Sequence, residues 1–184
     1  MTGEFEAALA DLRAAALGID QSQVDAALDA IAGARRIVLY GCGREGLQVR
    51  GLAMRLHHLG LDVAMQGDMA TPPVGKSDLL IVSAGPGELA TVSALMGVAR
   101  GAGADVLFLT AEPESESASL ATRVLTIPAQ TMARDQEGSA TSLLPMGSVY
   151  EGALFLLFEI MILRLRDRLG VTPDAMRARH TNLE

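Results

Sequence analysis

The sequence contains few residues of several types whose abundance would mark a particular class of protein. It has no tryptophan, aromatic residues make up only 3% of it, and Cys42 is the one cysteine among 184 residues. A single cysteine excludes an internal disulfide and favours a reducing compartment. Its 15 basic residues are outnumbered by 22 acidic ones, giving a formal net charge of −7. A nucleic-acid partner, which normally requires a basic surface, is therefore not expected.

Targeting signals and long apolar runs are also missing. Residues 1–6 are acidic and lack the basic start and apolar run of a signal peptide. The most apolar stretch, 152–163, is too short to span a membrane and contains Glu159. A soluble, cytoplasmic protein that does not associate with membranes is therefore expected. The histidines and the cysteine show no metal-ligand spacing, so no metal site is predicted.

What the sequence does contain is apolar material for one sizeable core. Hydrophobic residues make up 49% of the chain, and its length suits a single domain, since compact domains usually have ~50–250 residues. We expect one domain over residues 1–184. It would consist of an N-terminal helical segment, 1–33, and an α/β core with C-terminal helices, 34–184.

Short apolar runs that alternate with helical patterns predict the fold. The five runs are typical of buried strands and lie at 36–40, 61–65, 78–83, 105–110 and 124–128. A long helix is expected at 145–168. Strands that are apolar throughout imply a parallel sheet covered on both faces. The predicted fold is therefore α/β, a flavodoxin-like three-layer sandwich with a five-stranded parallel sheet in the order 2-1-3-4-5.

Two glycine-rich turns follow neighbouring predicted strands. The first, 41–46, matches the dinucleotide fingerprint G-x-G-x-x-G, and Asp68 is a candidate for the acidic residue that would hold the ribose. The alternative is a tight turn that needs glycine for backbone reasons. The second turn, 83–88, could hold an anion on backbone N–H groups at a helix N-terminus. Together the two turns outline one crevice.

Two titratable residues are candidates for proton transfer. Glu151 begins a long apolar helix, where a raised pKa would suit a general base; an acid that complements the helix dipole is the alternative. His180 lies in the C-terminal segment and can carry protons at neutral pH, although a histidine there can also be merely solvated.

Several of these segments resemble the SIS (sugar isomerase) family, and within it the 6-phospho-3-hexuloisomerase branch. The resemblance extends from about residue 31 to the end of the chain. The segments that carry it are the turn at 41–44, the segment 54–60, Thr71-Pro72, the turn at 85–88, the segment 144–151 and the ending 179–184, of the type Arg-His-x-x-Leu-Glu.

The resemblance implies a homotetramer or homodimer that isomerises 3-hexulose 6-phosphate and fructose 6-phosphate without a cofactor. By this analogy Glu151 is the base, and His180 assists ring opening or proton transfer from its own or a neighbouring subunit. The expected substrate-binding residues lie on the two turns and one further strand end, and comprise Gly43, Arg44, Glu45, Ser83, Gly85, Gly87, Glu88 and Thr110.

The sequence departs from the family pattern at both turns. Glu45 stands where the family usually has serine, and three hydroxyl-bearing positions of the second turn are Ala84, Pro86 and Leu89. Each lost charge-assisted hydrogen bond costs ~1.5–3 kcal/mol. These changes favour a neutral or cationic polyol or an amino sugar over the usual 6-phosphate. An isomerase of a non-phosphorylated sugar and a sugar-binding module without catalysis therefore both stand as alternatives.

Overall fold

The computed structural model describes residues 2–135 and 142–183. Residues 136–141, which precede the long helix in the sequence, and Glu184, the last residue of the expected ending motif, lie outside the described residues. The α-helices and β-strands described, in chain order, are α1 (Thr2–Leu17), α2 (Gln21–Gly33), β1 (Ile37–Gly41), α3 (Gly43–His58), β2 (Val63–Met65), β3 (Leu79–Ser83), α4 (Ala90–Gly101), β4 (Asp105–Thr110), β5 (Arg123–Thr126), α5 (Ser148–Leu169) and α6 (Pro173–Ala178).

The five strands form one parallel sheet in the order β2-β1-β3-β4-β5. This order and the α/β class confirm the prediction from the sequence. The central strand β3 is buried along its whole length, as expected for a strand that pairs on both edges and is covered on both faces. Gly41 at the end of β1 pairs with Ser83 at the end of β3, so the two glycine turns begin side by side.

Alternate strand residues pack against different helices and build a core on each face. Leu39 and Ile81 belong to the larger cluster, which contains buried apolar side chains of α2, α3 and α5. Val38 and Leu80 point the other way and pack with the buried side chains of α4. This alternation follows from the two-residue period of a β-strand, and it gives the three-layer sandwich.

Helix α5 begins three residues later than the sequence predicted. Gly147 precedes it in the left-handed conformation, with φ of 78°, and Gly170 ends it with φ of 63°. The predicted start at residue 145 was therefore wrong, because the backbone at Gly147 is not helical. Within the part of the chain that the structure describes, no helix is long and apolar enough to cross a membrane.

The N-terminal helix α1 packs along α5. A Cβ added to Gly152 would lie 2.5 Å from Leu12 Cδ2, so the glycine permits the close approach of the two helices. Both helices keep apolar side chains exposed on their outer surface, and we call these the α1–α5 surface. It comprises Phe5, Leu9, Leu17, Phe155, Leu156, Ile160 and Leu163.

Candidate active site

A cavity of about 330 Å³ lies where the two glycine turns meet the start of α5. It is at the carboxyl ends of β1 and β3, the place where ligands bind in open parallel sheets. The residues that line it are Cys42, Gly43, Arg44, Glu45, Pro86, Leu89, Thr131, Met132, Met146, Gly147, Tyr150 and Glu151. Four of the ten predicted site residues are therefore in its wall: Gly43, Arg44, Glu45 and Glu151.

The glycines of the first turn have a packing role. A Cβ on Gly46 would lie 2.4 Å from the carbonyl oxygen of Gly41, so only glycine lets α3 begin this close to β1. Asp68 is exposed after β2, and Glu45 places a carboxylate in the first turn of α3. Because a pyrophosphate would approach that same turn, the arrangement favours the conformational explanation of the motif over dinucleotide binding.

Arg44 and Glu151 form an ion pair in the wall of the cavity. Arg44 Nε lies 3.0 Å from Glu151 Oε2. The guanidinium also donates to the Ser148 hydroxyl at 3.1 Å and to the Met146 carbonyl. These contacts hold the second residue of α3 against the first turn of α5. A cation and a carboxylate therefore face the same cavity at contact distance.

The environment of Glu151 changes its acidity. Its side chain is only 16% exposed, and burial raises the pKa of its carboxyl above the ordinary value. The Arg44 guanidinium lowers this pKa, whereas the nearby Glu45 raises it. The net direction is upward, and a carboxylate with a raised pKa is a better acceptor for a proton.

Glu45 reaches from the first glycine turn to the second. Its Oε2 accepts a hydrogen bond from the Ser83 hydroxyl at 2.6 Å, and the Gly85 N–H donates to both carboxylate oxygens at 3.0 and 3.1 Å. Burial raises the pKa of the Glu45 carboxyl, and the hydrogen bonds from Ser83 and Gly85 partly offset that rise. The Glu45 carboxylate on the first turn thus accepts the hydrogen bonds that Ser83 and Gly85 on the second turn can donate.

Tyr150 completes this network and was not among the predicted site residues. The side chain is 1% exposed, and its hydroxyl lies 3.3 Å from Ser83 Oγ. Burial, and next the charge of Glu45, raise the pKa of Tyr150 well above its ordinary value, so the phenol stays neutral. Its position beside Glu151 in the sequence was a usable signal, because residues on one helical turn can reach the same cavity.

Thr131 is a second residue that the sequence did not point to. It lines the cavity and is 2% exposed. Among residues 2–135 and 142–183 its Oγ1 has no hydrogen-bond partner. A buried hydroxyl in a cavity wall can accept or donate a hydrogen bond to a ligand. Nothing in its local sequence distinguishes this threonine from others.

Three further predicted residues, Gly87 and Glu88 of the second turn and Thr110 at the end of β4, are not among the residues that line the cavity. Gly87 has φ of 87°, and a Cβ there would lie 2.6 Å from the Cβ of Glu112. Thr110 is buried; its hydroxyl donates to the Gly85 carbonyl and accepts from the Glu112 N–H. Glu88 is exposed. These residues shape the turn, and their contact with a substrate stays a prediction.

His180 does not lie near Glu151 within the subunit. Its ring stacks on that of His58 with centroids 5.2 Å apart, at the end of α3 opposite to Arg44. The 16 residues of α3 span about 24 Å at 1.5 Å per residue. Arg179 fixes this position by donating to the His58 carbonyl at 3.1 Å. Within one subunit the two side chains therefore lie apart, and the role of His180 in ring opening or proton transfer, in its own or a neighbouring subunit, stays a prediction.

The fold and the site together define a sugar-isomerase type of α/β domain. Residues 30–156 match the model of the SIS domain family, and the chain belongs to this family. The resemblance noted from the glycine turns and the C-terminal motifs is thereby confirmed.

Two relatives and one solved structure show which members of the SIS family the chain is similar to. The chain is 33% identical over 177 residues to a Bacillus subtilis protein named 3-hexulose-6-phosphate isomerase, covering 96% of this chain and 95% of that protein. A Mycobacterium gastri protein of the same name is 37% identical over 166 residues, covering 90% and 82%. A solved structure from Methanococcus jannaschii, taken to infer the same molecular function, is similar in fold, with a TM-score of 0.85 and 24% identity over 99% of both chains.

Proposed function

We propose that this chain is an isomerase that moves a carbonyl between adjacent carbons of a six-carbon ketose or its 6-phosphate. The named relatives support the reaction type, since they are 3-hexulose-6-phosphate isomerases. The observation that carries the proposal is the Glu151 carboxylate in the cavity wall, beside the Arg44 guanidinium at 3.0 Å. The reaction needs this pair of groups: a base for a carbon-bound proton and a cation for an oxyanion.

The proposed mechanism assigns one task to each of these two groups. The Glu151 carboxylate takes the proton from the hydroxyl-bearing carbon next to the carbonyl, and the electron pair of that C–H bond forms an enediolate. Arg44 steadies the negative charge on its oxygen. Glu151 then returns the proton to the former carbonyl carbon, the hydroxyl proton of the neighbouring carbon passes to the former carbonyl oxygen, and the neighbouring carbon becomes the new carbonyl. No electron acceptor is consumed, since the oxidation of one carbon balances the reduction of the other.

Solvent exchange tests this mechanism directly. The purified protein is incubated in deuterated water with fructose 6-phosphate and, separately, with fructose, and deuterium entry at C3 is followed by NMR. We expect exchange with at least one sugar, and loss of exchange in Glu151→Gln. A folded protein that exchanges neither sugar, or a Glu151→Gln variant that exchanges as fast as the parent, would contradict the proposal.

A binding module without catalysis is the second candidate. It is favoured by the Glu45 carboxylate, which fills hydrogen-bond donors that a substrate could otherwise use. Such a module would be stabilised by a ligand that it leaves unchanged. A panel of sugars tested by thermal shift and then by NMR for product separates the two: stabilisation without exchange or product selects the module.

We further propose that the chain self-associates through the α1–α5 surface. The α1–α5 surface borders a groove of about 790 Å³ that also contacts Ser148 and Glu151. Apolar side chains so exposed on two neighbouring helices are typical of a subunit interface. A dimer or tetramer would bury them beside the cavity, and a partner could then bring its His180 toward Glu151. Loss of exchange in His180→Gln, with the oligomer intact, would support that role.

A cytoplasmic location is proposed on the chemistry of Cys42. Its thiol is partly exposed and has no second cysteine in the chain to pair with. A reducing compartment would keep it as a thiol. Fractionation of cells that express a tagged copy would test the location; recovery in an oxidising compartment would contradict it.

A further inference from the structure

We infer that Glu45 is a built-in anion that closes the second glycine turn to phosphate and makes it selective for a hydrogen-bond-donating end of the substrate. That end would be a free hydroxyl or an ammonium group. This inference rests on the proposed function for the identity of the ligand as a sugar. It names the substrate class of the same site and makes Glu45 the residue that determines specificity.

Two hydrogen-bond donors of the second glycine turn are already used by Glu45. A strand that ends in a glycine turn before a helix presents N–H and hydroxyl groups suited to an anion. In this chain the Ser83 hydroxyl and the Gly85 N–H both donate to the Glu45 carboxylate. The anion that the turn can hold is therefore already present, and it is covalently part of the protein.

The two positions that follow Gly85 on the turn supply no replacement donor. Pro86 has no N–H, and the Gly87 N–H donates to the Ala84 carbonyl at 2.9 Å. Leu89 is the N-cap of α4 and offers no side-chain hydrogen bond. A phosphate that displaced Glu45 would leave a buried carboxylate without its partners, which is costly. A phosphate that did not displace it would find no free donor at positions 83, 85, 86 and 87.

The net charge of the cavity wall also opposes a phosphate. Among the described residues that line the cavity, Arg44 is the one cation, whereas Glu45 and Glu151 are both carboxylates. The Arg44 guanidinium already pairs with Glu151 at 3.0 Å. The wall thus has an excess of negative charge, which opposes a phosphate dianion. An uncharged or cationic sugar end meets no such repulsion.

The Glu45 carboxylate can still bind a group that donates hydrogen bonds. An ionised carboxylate only accepts hydrogen bonds, and its two oxygens have about four acceptor sites. Ser83 and Gly85 use some of these sites. The side chain lines the cavity, so a ligand there can use the remainder only by donating. Hydroxyl and ammonium groups donate, whereas a phosphate dianion does not.

Paired binding measurements test the inference without relying on turnover. Calorimetric titrations compare fructose 6-phosphate with fructose for the parent protein, Glu45→Ser and Glu45→Gln. We expect the parent to bind fructose 6-phosphate no more tightly than fructose. Glu45→Ser frees the turn and should raise affinity for the phosphorylated sugar about tenfold or more, the worth of one charge-assisted hydrogen bond. Glu45→Gln, which keeps the side-chain volume, should give a smaller rise.

A matched control separates a local effect from a general change in charge. Glu114 is exposed and next to Ser115, whose Cβ approaches the position of a Cβ on Gly87. Glu114→Ser removes the same charge near the turn without touching the donors of Glu45, and its preference should match that of the parent. An equal rise in Glu114→Ser would overturn the inference.

Two further results test the inference that Glu45 excludes phosphate. A parent protein that binds fructose 6-phosphate at least about tenfold more tightly than fructose overturns the inference, whether or not the variants fold. A gain of phosphate binding in Glu45→Ser, in a protein that exchanges neither sugar, supports the inference about the turn. That same result would remove the proposed isomerase function, so the two failures are distinguishable.

Discussion

The Glu45 carboxylate and the Gly85 N–H, 40 residues apart in the sequence, are joined by hydrogen bonds of 3.0 and 3.1 Å. This contact joins the two glycine turns into one wall of the cavity. It exists because β1 pairs with β3, which places Gly41 beside Ser83. The approach is close: a Cβ on Gly85 would lie 3.1 Å from the Glu45 Oε1. The absence of a side chain at position 85 thus allows the contact.

Removing the positive charge of Arg44 should alter the pH dependence of exchange. Arg44 lowers the pKa of Glu151, so Arg44→Ala should raise that pKa further. Because the base must be ionised, the acidic limb of kcat/KM should move to higher pH, and kcat should fall by ~10²-fold as oxyanion stabilisation is lost. Arg44→Lys keeps the charge and should shift the limb less. An unchanged limb in Arg44→Ala would show that the ion pair does not tune Glu151.

The pH dependence of stability should reveal the burial of Glu45. Its pKa is raised above 4.5 in the folded state. The stability contributed by the neutral form is therefore fully present below the unfolded pKa, and it is lost as pH rises through the folded pKa. The free energy of unfolding of the parent minus that of Glu45→Gln should thus be smaller at about pH 7.5 than at about pH 4. Urea unfolding at both values measures it, and a difference that grows with pH would contradict the assignment.

The arrangement of the sheet could be predicted because its signals are local. Continuous apolar runs bounded by helices specify buried parallel strands, and each glycine turn follows a strand end directly. The start of α5 was predicted less accurately than the strands. Gly147, which precedes α5, has a left-handed conformation and lies against the segment at Thr131, which is distant in the sequence. A Cβ on Gly147 would lie 3.4 Å from the Thr131 Cα.

The site was predictable only in part. Arg44, Glu45 and Glu151 lie on motifs that the sequence displays, and the structure brings them together. The partners of Glu45 could not be read from the sequence, since they depend on strand pairing across 38 to 40 residues. The position of His180 depends on the contact between Arg179 and the His58 carbonyl, and no short-range pattern encodes it.

The packing role of Gly46 gives a sharp test of the first turn. Gly46→Ala would place a Cβ 2.4 Å from the Gly41 carbonyl oxygen, and the backbone cannot move without disturbing β1. We expect a loss of ~1–3 kcal/mol in the free energy of unfolding. Gly51→Ala is the matched control in the same helix, because nothing lies within 4 Å of its Cβ. It should gain ~0.5–1 kcal/mol from helix propensity. Equal effects of the two changes, measured by urea unfolding, would remove the close-approach explanation.

The α1–α5 surface predicts how self-association can be disrupted. Leu156 is 42% exposed on α5 and lines the groove beside Glu151. A charge there would have to be buried without a partner in an interface, which is costly. Leu156→Glu should therefore shift the mass measured by light scattering from an oligomer to the monomer. Val98→Glu is the matched control, because Val98 is 69% exposed on α4, whose buried side chains pack on the opposite face of the sheet; its mass should equal that of the parent. If His180 acts across the interface, solvent exchange should fall together with the oligomer in Leu156→Glu and persist in Val98→Glu. A parent protein that is monomeric at micromolar concentration would contradict the assignment of this surface.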